Sequence, residues 1–239
     1  ILKRSNEDLA QFANIASHDL KSPLRAIDTL ATWISEDLGE SQSAAIRENL
    51  RLMSQRVRRM ERLLDDLLAY SRAGKAKDTV KPVAIREMVD EITGLIDLPP
   101  GFRVQLRGGP ESFTTAATPL RTVLQNLINN AVKHHDSKSG SIEISVHEAG
   151  DFYQFHVEDD GPGIPPEHHE RIWGMFQTLQ PRDKVEGSGI GLALIKRLVQ
   201  HYGGVVGGEN RKPRGARFSF TWPKTIAHAS ETGGGRAAT

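Results

Sequence analysis

The sequence contains no cysteine among its 239 residues. Disulfide bonds and thiolate metal sites are therefore excluded, and a reducing compartment is compatible with the chain. The sequence also lacks an excess of one charge, since 31 Lys and Arg stand against 30 Asp and Glu. A nucleic-acid-binding protein usually has a basic face, so this balance argues against nucleic acid as a partner. No apolar run approaches the roughly 20 residues that cross a bilayer, which argues against membrane contact by this fragment.

The chain begins at Ile1 rather than at a methionine, and it has no signal peptide. We therefore expect a fragment from which a membrane span or a sensor domain has been removed upstream. We expect a cytoplasmic location for this fragment, whether the full-length protein is soluble or membrane-anchored. Its length fits one large or two ordinary domains. The hydrophobic share of 38% is sufficient for a core.

The first third of the sequence carries two helical patterns. Over about 43–72, apolar residues alternate at spacings of four and three, at Ile46, Leu50, Met53, Val57, Met60, Leu64 and Leu67. Over about 6–38, the same alternation gives Ala16, Leu20, Pro23, Ile27, Leu30 and Ile34. These heptad seams predict two amphipathic helices. A stop signal at Gly39, followed by Ser41 or Ser43 as a candidate N-cap, joins them as an antiparallel hairpin. One hairpin leaves part of its seam uncovered, so we expect a homodimer that forms a four-helix bundle.

The pattern changes after a short polar linker at 74–79. Strands are predicted at 80–85, 102–107, 141–147, 152–158, 205–207 and 216–222. Helices are predicted at 86–98, 118–135 and 188–202. Strands with helices on one face predict an α/β sandwich. The expected organisation is a helical-hairpin dimerisation domain at 1–73, the linker, an α/β domain at 80–223 and a disordered tail at 224–239.

Three polar clusters interrupt the α/β part. In the first, Asn126 and Asn130 stand four residues apart on a predicted helix and share a face, and Lys133 follows on the same side. Amide oxygens together with an ammonium group suit a hydrated Mg²⁺ and its phosphates. An ordinary polar helix face has the same appearance, so this cluster alone leaves both interpretations open.

The second cluster follows a predicted strand and contains Asp159, Gly161 and Gly163. The glycines permit close backbone approach, and the carboxylate can accept a hydrogen bond from an exocyclic amine. An ordinary turn explains the same residues about equally well.

The third cluster is a glycine run that opens a helix, at Gly187, Gly189 and Gly191. Free amides and the helix dipole make such a start an anion site. The chain has no GxxxxGK[ST] motif, and the run does not follow an early strand as a dinucleotide-binding fingerprint does.

Together the clusters say more than they do separately. QNLINNAVKH, DDGPGI, WGMF and GSGIGLAL resemble, in order and spacing, the N, G1, F and G2 boxes of the histidine-kinase branch of the GHKL ATPases. SHDLKSPLR in the first helix resembles the H box of that family's dimerisation and phosphoacceptor domains. The resemblance covers residues 6–222, and FQTLQPRDKVEGSGIGLAL is similar to phytochrome-type kinases.

The resemblance implies a sensor histidine kinase core of a two-component system. His18 would take a phosphoryl group from Mg-ATP and pass it to an aspartate of a response regulator. The heptad register turns His18 outward. Asp19 would fix the imidazole tautomer, and Ser22 stands where the family often has Thr or Asn for phosphatase action. Asn130 would ligate Mg²⁺ with Asn126 beside it. The implied ATP-binding residues are Asn126, Asn130, Lys133, His134, Asp159, Gly161, Gly163, Phe176, Arg182, Lys184, Gly187, Gly189, Gly191 and Leu192.

Departures from the family pattern leave alternatives open. Asp19 replaces the commoner Glu, Ser22 puts phosphatase competence in doubt, and His134 stands where Tyr or Phe is typical. One alternative is a GHKL-type ATPase that phosphorylates no protein, although the heptad hairpin with its H box argues against it. The other is a degenerate kinase that acts as a dimeric scaffold, against which Asn130 and Asp159 argue.

Overall fold

The computed structural model describes residues 2–39, 43–74, 78–96, 98–177 and 188–226, with side chains described from residue 20 onward. The predicted tail therefore lies almost wholly outside the described residues, as does the middle of the predicted linker. None of the described helices is both long and apolar enough to span a membrane.

Two long helices form the first part of the chain. Helix α1 runs over Leu2–Leu38 and helix α2 over Ala44–Arg72. Helix α2 begins at Ser43, whose hydroxyl oxygen accepts a hydrogen bond from the backbone N–H of Ile46 at 3.3 Å. This contact confirms one of the two predicted N-caps and satisfies one of the N–H groups that a helix start leaves open.

Three ion pairs cross between the two helices. Lys21 pairs with Asp65, Arg25 with Glu61 at 3.8 Å, and Asp28 with Arg58 at 3.9 Å. Each step forward along α1 is matched by an equal step back along α2, so the helices run antiparallel in one constant register. Exposed pairs of this kind contribute little stability, about 0–1 kcal/mol each. Their value here is that they define which residues lie side by side.

The buried face of α1 differs from the predicted seam. Among the described side chains of α1, from residue 20 onward, Leu24 and Ala31 are the buried apolar ones, and Leu24 packs with Val57 and Leu64 of α2. The predicted seam residues Leu20, Ile27, Leu30 and Ile34 are 40–52% exposed. A broad apolar stripe has two flanks, and the heptad pattern alone does not say which flank meets the chain's own second helix.

The second part of the chain is an α/β unit. Its strands are β1 Val80–Val83, β2 Gly101–Gly108, β3 Phe113–Ala116, β4 Ser139–Ala149, β5 Phe152–Asp159, β6 Val206–Asn210 and β7 Ala216–Pro223. Its helices are α3 Ile85–Leu95, α4 Ala117–Lys133 and α5 Gly191–His201, with two 3₁₀ turns at Pro166–His168 and Arg171–Trp173. The main sheet has the order β2-β4-β5-β7-β6, in which only β2 and β4 are parallel.

Two details of this unit differ from the predicted elements. Strand β3 is absent from the prediction and pairs antiparallel with β1 in a separate two-stranded sheet. The predicted strand 80–85 ends at Val83, because Ile85 begins α3 with its side chain fully buried.

The core lies between the main sheet and the three shorter helices. Strands β4, β5 and β7 bury alternate residues, so Phe155 stacks on Phe220 with ring centroids 4.7 Å apart. Trp222 is fully buried, and its ring N–H donates to the hydroxyl of Thr115 on β3 at 2.7 Å. The sheet, β3 and the start of α4 are thereby held together, which positions α4 above the end of β5.

The hairpin is attached to the α/β unit at its lower end. The guanidinium of Arg197 on α5 lies over the Tyr70 ring, 4.6 Å from its centroid, and its Nε donates to the carbonyl of Ala73 at 3.2 Å. The hydroxyl of Tyr202 donates to the carboxylate of Asp78. Because Ala73 also belongs to the main buried cluster, the end of α2 is part of the core of the α/β unit.

Candidate functional site

A cavity of about 880 Å³ lies between α4, the turn after β5, the start of α5 and one side of α2. This volume is in the range of small-molecule sites. Nine predicted site residues line it: Asn126, Asn130, Lys133, His134, Asp159, Gly163, Gly189, Gly191 and Leu192. Residues of the N, G1 and G2 boxes, which span more than sixty residues of chain, therefore meet in one pocket.

Asp159 is at the end of β5 and is 7% exposed. One of its oxygens, Oδ1, accepts hydrogen bonds from the backbone N–H of Gly161 at 2.9 Å and of Ala216 at 3.1 Å. Both bonds end on the same oxygen, so the other remains available to a ligand in the cavity. Burial raises the pKa of Asp159, and the two N–H groups oppose that rise. The carboxylate is thus fixed in orientation and can accept from an exocyclic amine.

The turn after Asp159 requires glycine. A Cβ on Gly161 would lie 2.9 Å from the Asp159 carboxylate. Gly163 has φ +78°, and a Cβ there would lie 2.8 Å from Asn210 Oδ1. Gly161 does not itself line the cavity, but it holds Asp159 in place.

Two residues that support this turn were not predicted. The Asn210 side chain bonds both backbone groups of Ile164, accepting from its N–H at 2.7 Å and donating to its carbonyl at 2.8 Å. A Cβ on Gly215 would lie 1.8 Å from the carbonyl oxygen of Asp159. Both residues belong to the β6–β7 hairpin, which lies beside β5 in space but more than fifty residues later in the chain.

Helix α4 presents the amide groups. Asn126 donates from Nδ2 to the carbonyl of Thr122 at 2.8 Å, so its oxygen points away from its own helix. That oxygen faces the start of α5, since a Cβ on Gly191 would lie 3.0 Å from it. Asn130, one turn later, lines the same cavity. Hard cations such as Mg²⁺ prefer oxygen ligands of this kind and usually keep water and phosphate as the others. The donor set therefore fits Mg²⁺ bound together with a phosphate ester.

The start of α5 is open to an anion. Its N-cap is Ile190, which makes no side-chain capping bond. The N–H of Ile190 donates to the hydroxyl of Ser188 at 3.1 Å. Gly189 precedes it at φ +72°, and a Cβ there would lie 2.8 Å from the backbone of Phe176 and of Gln177. Phe176 itself adopts a positive φ of 62° and is 44% exposed, outside the cavity lining. The backbone of the F box at Phe176 therefore packs directly against the backbone of the G2 box at Gly189.

His134 ends α4 and lines the cavity. Burial, and next the charge of Lys133, lower its pKa from 6.5 to about 4. The imidazole is therefore neutral at pH 7 and offers one donor and one acceptor, where an uncharged aromatic ring is typical of the family.

Helix α2 supplies one wall of the cavity, which the sequence did not predict. Arg59, Arg62 and Asp66 line it. Asp66 is hydrogen-bonded to Ser188, and burial raises its pKa while that bond opposes the rise. Asp66 also lies close enough to Lys133 for the two charges to interact. The nucleotide boxes and the hairpin therefore share one cavity.

Several predicted site residues fall outside the described part of the structure. The side chains of His18 and Asp19 are in that group, as are Arg182, Lys184 and Gly187 in the segment 178–187. Ser22 is exposed on α1. The backbone position of His18 follows from helix register, because one turn beyond the Lys21–Asp65 pair places it level with Leu68.

Comparison with known proteins identifies both parts of the chain. Residues 115–226 match the family of histidine kinase-, DNA gyrase B- and HSP90-like ATPases, and residues 8–76 match the His Kinase A (phospho-acceptor) domain. Cyanobacterial phytochrome B of Nostoc sp. is 34% identical over 226 residues, which make up 92% of this chain and 30% of that protein. The chain thus spans less than a third of that relative, and the similarity agrees with the predicted phytochrome-type resemblance.

Two solved structures are similar to this chain in the fold of both the hairpin and the α/β unit. Full-length ShkA in complex with AMPPNP has a TM-score of 0.68 and 25% identity, with 92% of this chain and 47% of that chain covered. Histidine kinase ThkA in complex with the response regulator protein TrrA has a TM-score of 0.62 over 94% of this chain and 65% of that chain. At 20% identity, the second likeness shows the fold alone.

Proposed function

Because the chain belongs to the sensor histidine kinases, as a catalytic core with an ATP-binding domain, we propose that it phosphorylates its own His18 from Mg-ATP and passes the phosphoryl group to an aspartate of a response regulator. The observation that carries the proposal is the shared cavity. Residues of the N, G1 and G2 boxes and one side of α2 line one pocket. The register of the hairpin puts the His18 backbone level with Leu68, close to cavity residue Asp66.

ATP binding is assigned to the residues that line the cavity. Asp159 accepts from the adenine amino group through its second carboxylate oxygen, and His134 closes the base pocket as a neutral ring. Lys133 and the start of α5 at Gly191 face the phosphates. We propose residues 177–186 as a lid over the nucleotide, with Arg182 and Lys184 as phosphate contacts and Phe176 as the residue that braces it.

Asn130, with Asn126 beside it, would hold Mg²⁺ through side-chain oxygens. When bound, the ion neutralises part of the triphosphate charge. Among the described residues there is no group of three or more His, Asp or Glu side chains suited to a metal. The amide pair on α4, with the phosphates and water, is thus the proposed site.

Phosphoryl transfer needs a neutral imidazole on His18. The ring nitrogen attacks the γ-phosphorus in line, an N–P bond forms, and the bond to the bridging oxygen breaks as ADP leaves. The ring's other nitrogen gives up its proton afterwards, and Asp19 is placed next to His18 to orient it. The transition state is loose, so positioning and charge neutralisation supply most of the acceleration.

The second half of the reaction needs a partner protein. A phosphohistidine is labile, and a carboxylate of a docked regulator takes the phosphoryl group to form an acyl phosphate. ThkA, which shares the fold, has been solved with its response regulator, and we carry this partner class over to the outer faces of α1 and α2. Ser22, exposed one turn after His18, is the proposed water-orienting residue for any hydrolysis of the regulator's acyl phosphate, which would release inorganic phosphate.

We propose that a second copy of the hairpin covers the exposed apolar side of α1 in a homodimer. The apolar residues Leu20, Ile27, Leu30 and Ile34 are 40–52% exposed in a single chain. Together with Trp33 they form a long apolar strip that a second hairpin would cover. Light scattering of the wild type should give twice the mass of one chain. The double variant Ile27→Glu with Leu30→Glu should give the mass of a single chain. A wild-type chain that is monomeric at micromolar concentration would contradict the dimer.

The division of labour follows from these roles. We propose residues 1–73 as the dimerisation and phosphotransfer domain, 74–79 as the linker, 80–223 as the ATP-binding domain and 224–239 as a disordered tail. The upstream part of the full-length protein would carry the sensor. Since ATP and response regulators are cytoplasmic, we place the work of the core there.

The test is labelling with γ-labelled Mg-ATP, with wild type beside His18→Gln. We expect label on the wild type that is lost in acid and kept in base, and none on the variant. Nucleotide binding should survive the substitution. Equal labelling of both chains would refute His18 as the acceptor. Steady ATP hydrolysis without any phosphoprotein would instead favour the ATPase alternative, and loss of nucleotide binding by the wild type would favour the scaffold.

A further inference from the structure

Helix α2 carries two stripes. The apolar one contains the predicted seam and packs against α1. The other contains Arg59, Arg62, Asp66 and Tyr70, at steps of three, four and four residues, which keeps them on one side of the helix. We call these four residues the polar stripe. It lies about 150° round the helix from the apolar one. It therefore faces away from the hairpin interior.

The polar stripe follows the ATP-binding domain from the linker to the cavity. At its lower end, Tyr70 lies under the guanidinium of Arg197 at 4.6 Å. One turn higher, Asp66 is hydrogen-bonded to Ser188, three residues before the first residue of α5. Further along α2 from the linker, Arg62 and Arg59 line the cavity itself.

From this arrangement we propose that Arg59 and Arg62 bind the triphosphate of ATP, so that the nucleotide is held between the hairpin and the ATP-binding domain. This inference rests on the proposed function, since it takes ATP as the ligand. It adds a binding contribution from a helix outside the nucleotide boxes, and it gives occupancy of the site a direct effect on how firmly the hairpin docks.

Charge supports this role. The triphosphate is a polyanion, and the described part of α4 offers it one cation, Lys133, from the cavity wall. Guanidinium groups bind phosphate oxygens through paired N–H donors, which makes arginine well suited to the opposite wall. Exposed charges are screened beyond roughly 8–10 Å, so only residues that reach the cavity contribute.

Asp66 should weaken binding of the triphosphate, whereas Arg59 and Arg62 should strengthen it. Its carboxylate lines the same cavity and accepts from Ser188, so an ionised Asp66 repels the phosphates that the arginines attract. An exchange of Asp66 for Asn keeps a hydrogen-bond acceptor for Ser188 and removes the charge. The two kinds of substitution on one helix face should therefore change nucleotide affinity with opposite sign.

The experiment compares three ligands on the full chain: the β,γ-imido analogue of ATP, ADP and adenosine, each measured by calorimetry with Mg²⁺. For Arg59→Ala with Arg62→Ala we expect the analogue to bind about tenfold or more weakly, ADP to lose less, and adenosine to be unchanged. Asp66→Asn should bind the analogue a few-fold more tightly. The matched control is Arg51→Ala with Arg56→Ala, which removes the same charge from α2 outside the cavity.

The outcomes separate cleanly. A parallel loss for adenosine, or a loss of analogue binding in Asp66→Asn, would show that the wall acts by packing and would overturn the inference. Analogue affinity within twofold of the control variant would also overturn it, while the proposed kinase function would stand. A wild-type chain that binds none of the nucleotides would instead contradict the proposed function itself.

Discussion

The guanidinium of Arg197 lies 4.6 Å from the centre of the Tyr70 ring and also donates to the carbonyl of Ala73. One side chain of the ATP-binding domain thus holds both the last turn of the hairpin and the first residue after it. The contact lies directly before the proposed linker, so we expect it to restrain movement of the two parts of the chain relative to each other.

Exchange of Tyr70 for Leu should loosen this attachment while it keeps an apolar side chain in place. A cation–π contact contributes about 0.5–2 kcal/mol, so we expect the linker to open at least about twofold more often. Limited trypsin digestion at Lys75 and Lys77 measures the change, because cleavage follows the population of the open form. Gln200→Ala, an exposed position on α5, is the control. Cleavage at the control rate would mean that the ring contact does not restrain the linker.

Asp159→Asn should abolish tight nucleotide binding. The new amide presents an N–H toward the adenine amino group, and a donor facing a donor leaves both unsatisfied in a buried site. We expect the ATP affinity to fall about tenfold or more. Glu158→Gln is the neighbouring control, since Glu158 pairs with Arg211 and Arg217 rather than lining the cavity. Equal affinities for the two variants, measured by calorimetry, would remove Asp159 from the site.

His134 should make the stability of the protein depend on pH. The folded pKa of about 4 lies below the unfolded value of 6.5, so between these values the unfolded chain binds a proton that the folded chain does not. Stability is therefore lost as the pH falls from 6.5 toward 4. At pH 5 the loss amounts to about 1–2 kcal/mol.

Urea unfolding of His134→Phe checks this expectation. The free energy of unfolding of the variant minus that of the wild type should be larger at pH 5 than at pH 7. His147→Gln, an exchange at an exposed position on β4, provides the comparison. If the wild type and His134→Phe follow parallel pH curves, His134 does not carry the dependence.

Gly189→Ala should damage the site at its base. The residue has φ +72°, and the added Cβ would meet the backbone of Phe176 and Gln177 at 2.8 Å. Strain of this kind costs about 1–3 kcal/mol, and relief requires the F-box backbone to move away from the start of α5. We expect weaker ATP binding and a lower melting temperature.

Gly94→Ala is the matched control for that exchange. Gly94 is exposed near the end of α3, and nothing lies within 4 Å of the position of its Cβ. Alanine in a helix is favoured over glycine by about 0.5–1 kcal/mol, so this variant should be slightly more stable. The opposite signs of the two glycine exchanges test the local geometry. A Gly189→Ala protein with unchanged ATP affinity would show that the two boxes are not coupled.

The site could be predicted from the sequence where the residues that act together lie close to one another in the chain. Asn126 and Asn130 share a helix face because of helical periodicity, and the turn after Asp159 is encoded by its own glycines. Asn210 and Gly215 escaped prediction because they reach the turn only through the sheet order, which no short-range pattern states. Arg59 and Arg62 escaped it because an exposed polar helix face has the same sequence pattern whether it meets solvent or another domain.

The fold followed the same rule. The hairpin, the sheet strands and the three shorter helices were predictable from period and turn residues. Leu24 rather than Ile27 is buried against α2, because the apolar stripe of α1 is broader than the contact with α2 and the heptad pattern does not say which flank makes it. Strand β3 was missed because its four residues alternate too briefly to register, and its pairing with β1 is a contact between distant segments.

The place of β7 within the sheet sets an order of events during protein synthesis. Among the described residues this strand comes last in chain order, yet it lies between β5 and β6, and its Ala216 N–H donates to the carboxylate of Asp159. A ribosome releases the hairpin and the N box long before it releases β7. The nascent chain can therefore expose α1 while the pocket around Asp159 is still incomplete, so we expect ATP binding only after β7 has joined the sheet.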